Sequence, residues 1–437
     1  MLTPYRQVSG NCPGNPRKIE LQIAACDYQR NRKCRNFGGA IASFRLCLRF
    51  SFRRVLATLL AMISGFATPE GTARYRQRFP QLSEAEFFRR PEHVPAAREL
   101  WLSSLGLGTY LGEPDDSADA EYTEAILLAL RSGINVLDTA INYRHQRSER
   151  NIGAALAQWI SSGQGRRDEV FVCTKAGYLS FDANLPPDPR GYFLREFVES
   201  GILDPKELVG GMHCMAPNYL HDQIERSRKN LGVETVDLFY LHNPETQLAD
   251  VTPEEFRARL KRAFSALEGS VRAGKIRFYG MATWNAFRLA EGSRDAISLA
   301  MAAEIAHEVG GHAHHFRFIQ LPFNLAMPEA YVLANQNVGK KNLSVLEAAA
   351  QLGIAVMGSA TLYQGRLTAG LPPFIEQVLG MKNDGENAIQ FARSAPGITT
   401  SLIGMGHREH VLANLKPALL PPARVEDWQR LFSSREA

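Results

Sequence analysis

Residues 135–143 read Asn135-Val136-Leu137-Asp138-Thr139-Ala140-Ile141-Asn142-Tyr143, an apolar run that stops at an aspartate, with a tyrosine five residues further on. A short apolar run of this kind is the pattern of a buried strand. Strands of parallel sheets deliver their polar side chains at the carboxyl end, where barrels and open sheets keep their chemistry. Ser148-Glu149 and Gly153 follow and open a helix.

Outward from this stretch, strands and helices alternate. Apolar runs at 103–109, 134–138, 170–174, 236–241, 276–282, 318–321, 354–357 and 398–403 read as eight strands. Segments at 121–132, 148–160, 219–231, 253–273, 294–309, 344–352, 386–393 and 407–415 carry helical periodicity between and after them. Nearly continuous apolar strands imply a parallel sheet covered by helices. Eight such units predict an α/β fold, a (β/α)8 TIM barrel, in one domain. No G-x-G-x-x-G follows the first strand, which weighs against an open dinucleotide-binding sheet. One connection breaks the rhythm: residues 178–217 form an insertion after the third strand, far longer than an ordinary βα loop. It leaves a carboxyl strand end, so it is expected to lie over the active-site face as a lid or specificity element.

The 437-residue chain carries a net charge of only +5, unevenly spread. Residues 1–61 hold eleven Lys/Arg against two Asp/Glu, leaving the remainder mildly acidic. This basic leader is expected to be disordered or upstream of a true start at Met62. Arg53-Arg54 before the apolar run 55–63 also has the look of an export signal, and an Arg-rich, acid-poor leader that of an organellar transit peptide. That run is too short to span a membrane. Four of the six cysteines lie in the leader without a C-x-x-C pair, and only Cys173 and Cys214 lie in the body. Neither a disulfide framework nor a zinc knuckle is expected, and a cytoplasmic setting is the simplest reading. No metal, nucleic-acid or membrane partner is expected; the histidines at 312, 314 and 315 read as a solvated loop.

Asp138, Tyr143, Lys175 and His242 fall at or just beyond three consecutive strand ends. Each has a structural explanation alone, as a turn cap, a packed ring or a solvated amine, but four on one face point to a site. A phenol is a poor proton donor at neutral pH, and a nearby ammonium lowers its pKa. Lys175 is the expected ammonium, Asp138 its anchor, His242 the donor that orients a carbonyl, and Tyr143 the general acid. Such a set suits hydride transfer and holds no hydride source, so a nicotinamide cofactor is required.

Asp138-Thr139-Ala140-x-x-Tyr143 with Ser148-Glu149, Thr174-Lys175 and Asp237-Leu238-x-x-Leu241-His242 resembles the aldo-keto reductase family, in order. The resemblance continues through Gly274-Lys275-Ile276-Arg277 with Gly280, then Gln320 and Asn324, Gln364-Gly365, and Gly404 with Glu409 and Asn414. It implies a barrel that binds NADPH ahead of NADH across its carboxyl face and reduces a small carbonyl substrate, with Asp138, Tyr143, Lys175 and His242 as the catalytic tetrad. Cofactor contacts are expected at Thr109, Asp138, Thr283, Gln320, Ser359, Leu362, Gln364, Gly365, Gly404, Arg408, His410 and Asn414. Substrate contacts are expected at Tyr110, Arg144 and Trp284. The sequence departs from the family at Ala282-Thr283, at Ser359 where an aromatic ring is usual, and at His410 and Ala413. Tyr363 or Trp284 could supply the missing ring, and His407 and Arg408 the missing charge. Arg144 replaces a usual glycine and is expected to reach substrate. Alternative readings are a non-catalytic nucleotide-binding regulatory barrel and a nicotinamide-independent barrel lyase.

Overall fold

The computed structural model describes residues 62–433, so the expected leader lies outside the described residues. Eight parallel strands close into a barrel: β1 Leu105–Gly108, β2 Val136–Asp138, β3 Phe171–Ala176, β4 Val236–His242, β5 Ile276–Ala282, β6 Phe316–Pro322, β7 Ala355–Ser359 and β8 Ile398–Gly404. The outer helices are α1 Asp116–Arg131, α2 Arg147–Ser161, α3 Pro217–Leu231, α4 Pro253–Arg272, α5 Leu299–Gly310, α6 Val345–Gln351, α7 Asp384–Ser394 and α8 Arg408–Asn414. The TIM barrel expected from the alternation is the fold observed. No helix among the described residues is long and apolar enough to cross a membrane.

The element limits move for local reasons. Helix α1 begins five residues before the expected 121 because the Asp115 carboxylate accepts the Ala118 N–H at 2.8 Å and caps it. Its far end closes at Gly133, whose φ of +100° lets the Ile134 N–H return to the Ala129 carbonyl at 3.0 Å. Strand β2 therefore starts at Val136, not at 134. Helix α5 starts late, at the Ser298 cap. The expected first strand is two pieces: Leu102–Ser103 pairs antiparallel with Phe88–Arg89, and only Leu105–Gly108 enters the barrel. An antiparallel hairpin, Ala334–Val338 with Lys341–Ser344, precedes α6 and went unread in the sequence.

The segment before β1, which reads as polar and helix-leaning, closes one end of the barrel. Ala67, Val94, Ala97, Leu100 and Leu102 pack in one buried cluster with inward-facing Val136, Phe171, Cys173, Leu238, Tyr240, Phe278, Phe318, Ala355, Met357 and Leu402. Asp237, buried on β4, fastens this end. It accepts the Ala67 N–H at 2.6 Å and the Val172 N–H at 2.9 Å, and pairs with Arg167 at 2.6 Å. Gly280 is required by close approach, since a Cβ there would lie 2.1 Å from the Phe318 carbonyl oxygen.

Period two along each strand sets up the site. Val136 faces inward, so Asp138 does; Phe171 and Cys173 lead to Lys175, Leu238 and Tyr240 to His242, Phe318 to Gln320, and Ala355 and Met357 to Ser359. The polar residues are the top layer of the same inward-facing ladders whose lower layers are apolar. Register keeps them level, with His242 opposite Ala282 and Ala282 opposite Gln320.

Asp237→Ala would leave Arg167 as an uncompensated buried charge and free two backbone donors. A loss of about 3–5 kcal/mol is expected in a denaturant titration. A loss under about 1 kcal/mol would show that this end of the barrel is held otherwise.

Candidate active site

Lys175 is fully buried, and its Nζ lies 2.6 Å from Asp138 Oδ2 and 2.8 Å from the Thr139 carbonyl. The other Asp138 oxygen, Oδ1, accepts Gln320 Nε2 at 2.8 Å. Asp138 is thus tied on both oxygens. The Tyr143 hydroxyl sits 3.5 Å from Lys175 Nζ, a long contact, and the ammonium also lies 4.9 Å from the centre of the phenol ring. The imidazole of His242 packs edge-on between the rings of Tyr143 and Tyr178 at 5.7 and 5.4 Å, with Nδ1 3.2 Å from Asn142 Oδ1. The four expected tetrad residues stand together.

Electrostatics correct one expectation. Burial raises the Tyr143 pKa; Lys175 pulls it down but is outweighed, and Asp138 adds to the rise. The phenol therefore stays protonated through neutral pH instead of being poised near it. For Lys175, burial disfavours the charge, yet Asp138 and Tyr143 together hold the ammonium above its ordinary pKa. Burial, with Lys175 and then His213, drives His242 well below 6.5, so this ring is neutral. The arrangement offers a protonated phenol, a fixed ammonium behind it and a neutral imidazole beside it.

These groups open into a cleft of about 940 Å³. Thr109, Tyr110, Asp138, Tyr143, His242, Thr283, Trp284, Gln320, Ser359, Leu362, Gln364, Gly365, Gly404, His410 and Asn414 line it, as expected from the sequence. Of the two rings expected to replace the aromatic residue missing at Ser359, Trp284 lines the cleft and Tyr363 does not. Lys175 lies behind its wall.

Two expected contacts are elsewhere. Arg144 is turned away from the cleft into a buried network: Nη2 to Asp119 Oδ1 at 2.7 Å, Nη1 to Asn151 Oδ1 at 2.7 Å and Nε to the Glu113 carbonyl at 2.8 Å. The reason is the turn after Tyr143. Arg144, His145 and Gln146 have φ of 48°, 55° and 70°, three left-handed residues in a row without a glycine. Such positions cost roughly 1–3 kcal/mol each, and the arginine network offsets part of that strain. Arg408 reaches Glu124 at 3.5 Å and His407 reaches Glu121 at 3.1 Å, both on α1. Besides His242, the basic side chains that line the cleft are His410 and Lys416. Lys416, Asn142, Tyr178 and Asn243 were missed as lining residues. Asn142 adjoins Tyr143, Asn243 adjoins His242 and Tyr178 opens the insertion, so proximity to the tetrad was the available signal.

The Ser148-Glu149 pair of the motif is structural. Ser148 Oγ donates to the Thr109 carbonyl at 2.8 Å, and buried Glu149 accepts from Thr174 Oγ1 at 2.6 Å and Asn230 Nδ2 at 2.8 Å. These contacts bind α2 to the ends of β1 and β3.

The site fits a nicotinamide nucleotide on its own chemistry. The Thr283 hydroxyl is buried without a hydrogen-bond partner on the cleft wall, one residue past β5 and beside Gln320, where a carboxamide would satisfy it. Around Leu362 the chain runs through positive φ at Ala360, Tyr363, Gln364 and Gly365. The Tyr363, Gly365 and Arg366 N–H groups close turns onto the carbonyls of Ala360, Leu362 and Tyr363, while Leu362, Gln364 and Gly365 line the cleft.

The chain is thus a parallel eight-stranded barrel with a Tyr/Lys/Asp/His cluster at its carboxyl end. The family model for the aldo/keto reductase family matches residues 104–371, and the chain belongs to that family. Among curated relatives it is 28% identical over 229 residues to a D-threo-aldose 1-dehydrogenase of a Pseudomonas species, covering 48% of this chain and 60% of that protein. It is 26% identical over 271 residues to an L-glyceraldehyde 3-phosphate reductase of Escherichia coli O157:H7, covering 62% of this chain and 60% of the other. The chain thus spans about 60% of the length of these two relatives. Among solved structures, a glycerol dehydrogenase from Gluconobacter oxydans aligns with a TM-score of 0.55 at 20% identity over 80% of this chain and 95% of that one. An aldo-keto reductase from Klebsiella pneumoniae, solved in complex with NADP and acetate, aligns with a TM-score of 0.51 at 19% identity over 78% and 94%. At these identities the structures speak to the fold.

Arg144→Met should lower stability by about 1–3 kcal/mol, because buried Asn151 Oδ1 loses its donor and the strained turn loses its anchor, while Asp119 keeps Arg147. A thermal or denaturant melt reads this. A change in substrate KM without loss of stability would restore the substrate-contact role.

Proposed function

We propose that the protein is an NADPH-dependent carbonyl reductase that converts a small aldehyde or ketone to its alcohol and runs the reverse reaction with NADP. The observation that carries this reading is the Tyr143 hydroxyl held 3.5 Å from the buried, Asp138-paired Lys175 ammonium, with neutral His242 beside it, all on one cleft.

The bound nicotinamide would supply or take up a hydride at the carbonyl carbon. The chain does the rest. With the Asn142 amide turned so that its nitrogen donates to Nδ1, neutral His242 carries its one proton on Nε2 and donates it to orient the carbonyl oxygen. Tyr143 gives its phenolic proton to that oxygen as charge develops, and the resulting phenolate is stabilised by Lys175. Asp138 positions Lys175, and Gln320 steadies Asp138. In the alcohol-to-carbonyl direction the Tyr143 phenolate takes the proton back. Thr283 and Gln320 would hold the carboxamide, the 360–365 loop the pyrophosphate, and Gly404, Asn414, His410 and Lys416 the adenosine end. NADPH is preferred in this reading because Lys416 puts positive charge on that stretch of the cleft, where His410 adds a hydrogen-bonding side chain, and the Klebsiella neighbour was solved with NADP. The two described cysteines are free and buried, which suits a reducing cytoplasm.

Tyr143→Phe should keep NADPH binding, read as fluorescence quenching, and reduce turnover of an aldehyde panel by at least about 100-fold. Binding without turnover in the unaltered protein would favour a regulatory barrel, and no binding of either nicotinamide nucleotide would overturn both readings. The pKa directions add a second check. With the Tyr143 pKa raised and that of His242 lowered, reduction should be level between about pH 6 and 8, while alcohol oxidation, which needs the phenolate, should still climb above pH 10. A reductive limb near pH 6.5 would contradict a neutral His242.

A further inference from the structure

The insertion between β3 and α3 reaches the reactive face through one buried side chain that the mechanism above does not use. His213 is 1% exposed. Its Nε2 lies 2.8 Å from the backbone carbonyl of His242, and its Nδ1 lies 2.8 Å from Gln247 Nε2. The orientation of the Gln247 amide is fixed from outside, because Gln247 Oε1 accepts Arg259 Nη1 at 2.8 Å and arginine can only donate. The amide nitrogen therefore faces His213, where it also donates to the His213 carbonyl at 3.2 Å. Nδ1 must then be the acceptor, and the single ring proton of neutral His213 sits on Nε2, donated to His242. Burial holds this ring neutral, down to a pKa of about 4.

Every link of the chain from α4 to β4 has one allowed direction: Arg259 to Gln247, Gln247 to His213, His213 to His242. The outer end is anchored in turn. Arg259 Nη1 and Nη2 also donate to the insertion carbonyls of Glu207 and Lys206, each at 3.2 Å, and its Nε pairs with Glu255 at 2.9 Å. Space for the inner end depends on Gly177. A Cβ there would lie 2.5 Å from the His242 oxygen and 2.7 Å from His213 Nε2. The gripped carbonyl belongs to the last residue of β4, after which Asn243 turns the chain with φ +46°. The Asn243 N–H ties this strand end to the Ala282 carbonyl at 2.6 Å on one side and His213 grips it on the other, so without His213 the end would be free to tilt about the remaining anchor and carry the imidazole with it.

We propose that His213 is a positioning residue: the insertion clamps the backbone of His242 through it, and so sets where the His242 imidazole meets the carbonyl oxygen. This rests on the reductase reading of the site. It gives the insertion a defined role, to brace the catalytic face from within. A displacement of an ångström at a catalytic group is enough to cost one to two orders of magnitude in rate. The groups facing His213 and His242 from the packed elements are Tyr143, Tyr178, Lys175, Asn142 and Gln247.

The test compares His213→Leu, His213→Gln and Gln247→Leu in the full chain, with p-nitrobenzaldehyde as substrate and NADPH as cofactor. His213→Leu should lower kcat roughly tenfold or more with NADPH affinity unchanged. His213→Gln, whose amide can both accept from Gln247 and donate to His242, should recover most of kcat. Loss of kcat by under twofold in His213→Leu, or no recovery in His213→Gln, would overturn the proposal. Nitrogen-15 imidazole spectra read the relay without turnover. The His213 resonance should report the Nε2–H form, unprotonated to below pH 5, and Gln247→Leu should perturb it. An Nδ1–H form in the unaltered protein would overturn the clamp whatever the variants do. NADPH quenching separates the two levels: no quenching contradicts the reductase reading itself, whereas quenching and turnover with a His213→Leu enzyme of ordinary kcat contradicts the clamp alone.

Discussion

A full positive charge sits at the heart of this barrel, buried away from solvent, and the contact with Asp138 makes that tolerable. An ammonium removed from water is penalised by several kcal/mol, and an opposing carboxylate offsets this only when geometry is good and the remaining donors and acceptors are satisfied. Here Lys175 Nζ has Asp138 at 2.6 Å and the Thr139 carbonyl at 2.8 Å, while the second Asp138 oxygen is taken by Gln320 at 2.8 Å. The pair thus ties together β2, β3 and β6 at the top of the barrel. The groups proposed to act on a ligand, Tyr143, His242, Thr283 and Gln320, line the cleft around it. In the proposed reaction this charge would stabilise the Tyr143 phenolate, while burial keeps the phenol protonated at neutral pH.

The same economy explains why the site grows out of the core. Inward-facing ladders that are apolar at the floor become polar only in their last layer, so a single period-two pattern specifies both packing and chemistry. The price is strain where the chain leaves those strands. Left-handed residues follow Tyr143 and His242 directly, and each is held by groups from outside the barrel: the Arg144 network in one case, the insertion through His213 in the other. Local strain at a functional site, held by surrounding structure, is a recurrent arrangement.

Much of this was legible in the sequence because it is written in local pattern. The eight apolar runs gave the barrel, and the strand-end positions of Asp138, Lys175 and His242 gave the site, since strand identity and side-chain direction are set within a few residues. What was not legible depended on contacts between distant residues. The polar segment before β1 gave no sign that Ala67, Val94 and Leu100 would close the barrel. Arg144 looked like a substrate contact because its partners Asp119 and Asn151 lie on other elements. The Tyr143 pKa was read from its neighbour Lys175, whereas burial, which outweighs that neighbour, is a property of the whole fold. Arg408 looked like a cofactor contact until α1 supplied Glu124.

In the proposed reaction Asp138 acts through Lys175, and Lys175 through Tyr143, as one unit. A double-mutant cycle in reductive turnover tests this most directly, with Asp138→Asn, Lys175→Met and the combination, each checked for cofactor binding and folding. If the three groups act as a unit, the combined variant loses about as much kcat as Lys175→Met alone. Losses that multiply, so that the combined variant shows the product of the two single effects, would mean that Asp138 and Lys175 serve the reaction separately and would contradict the account.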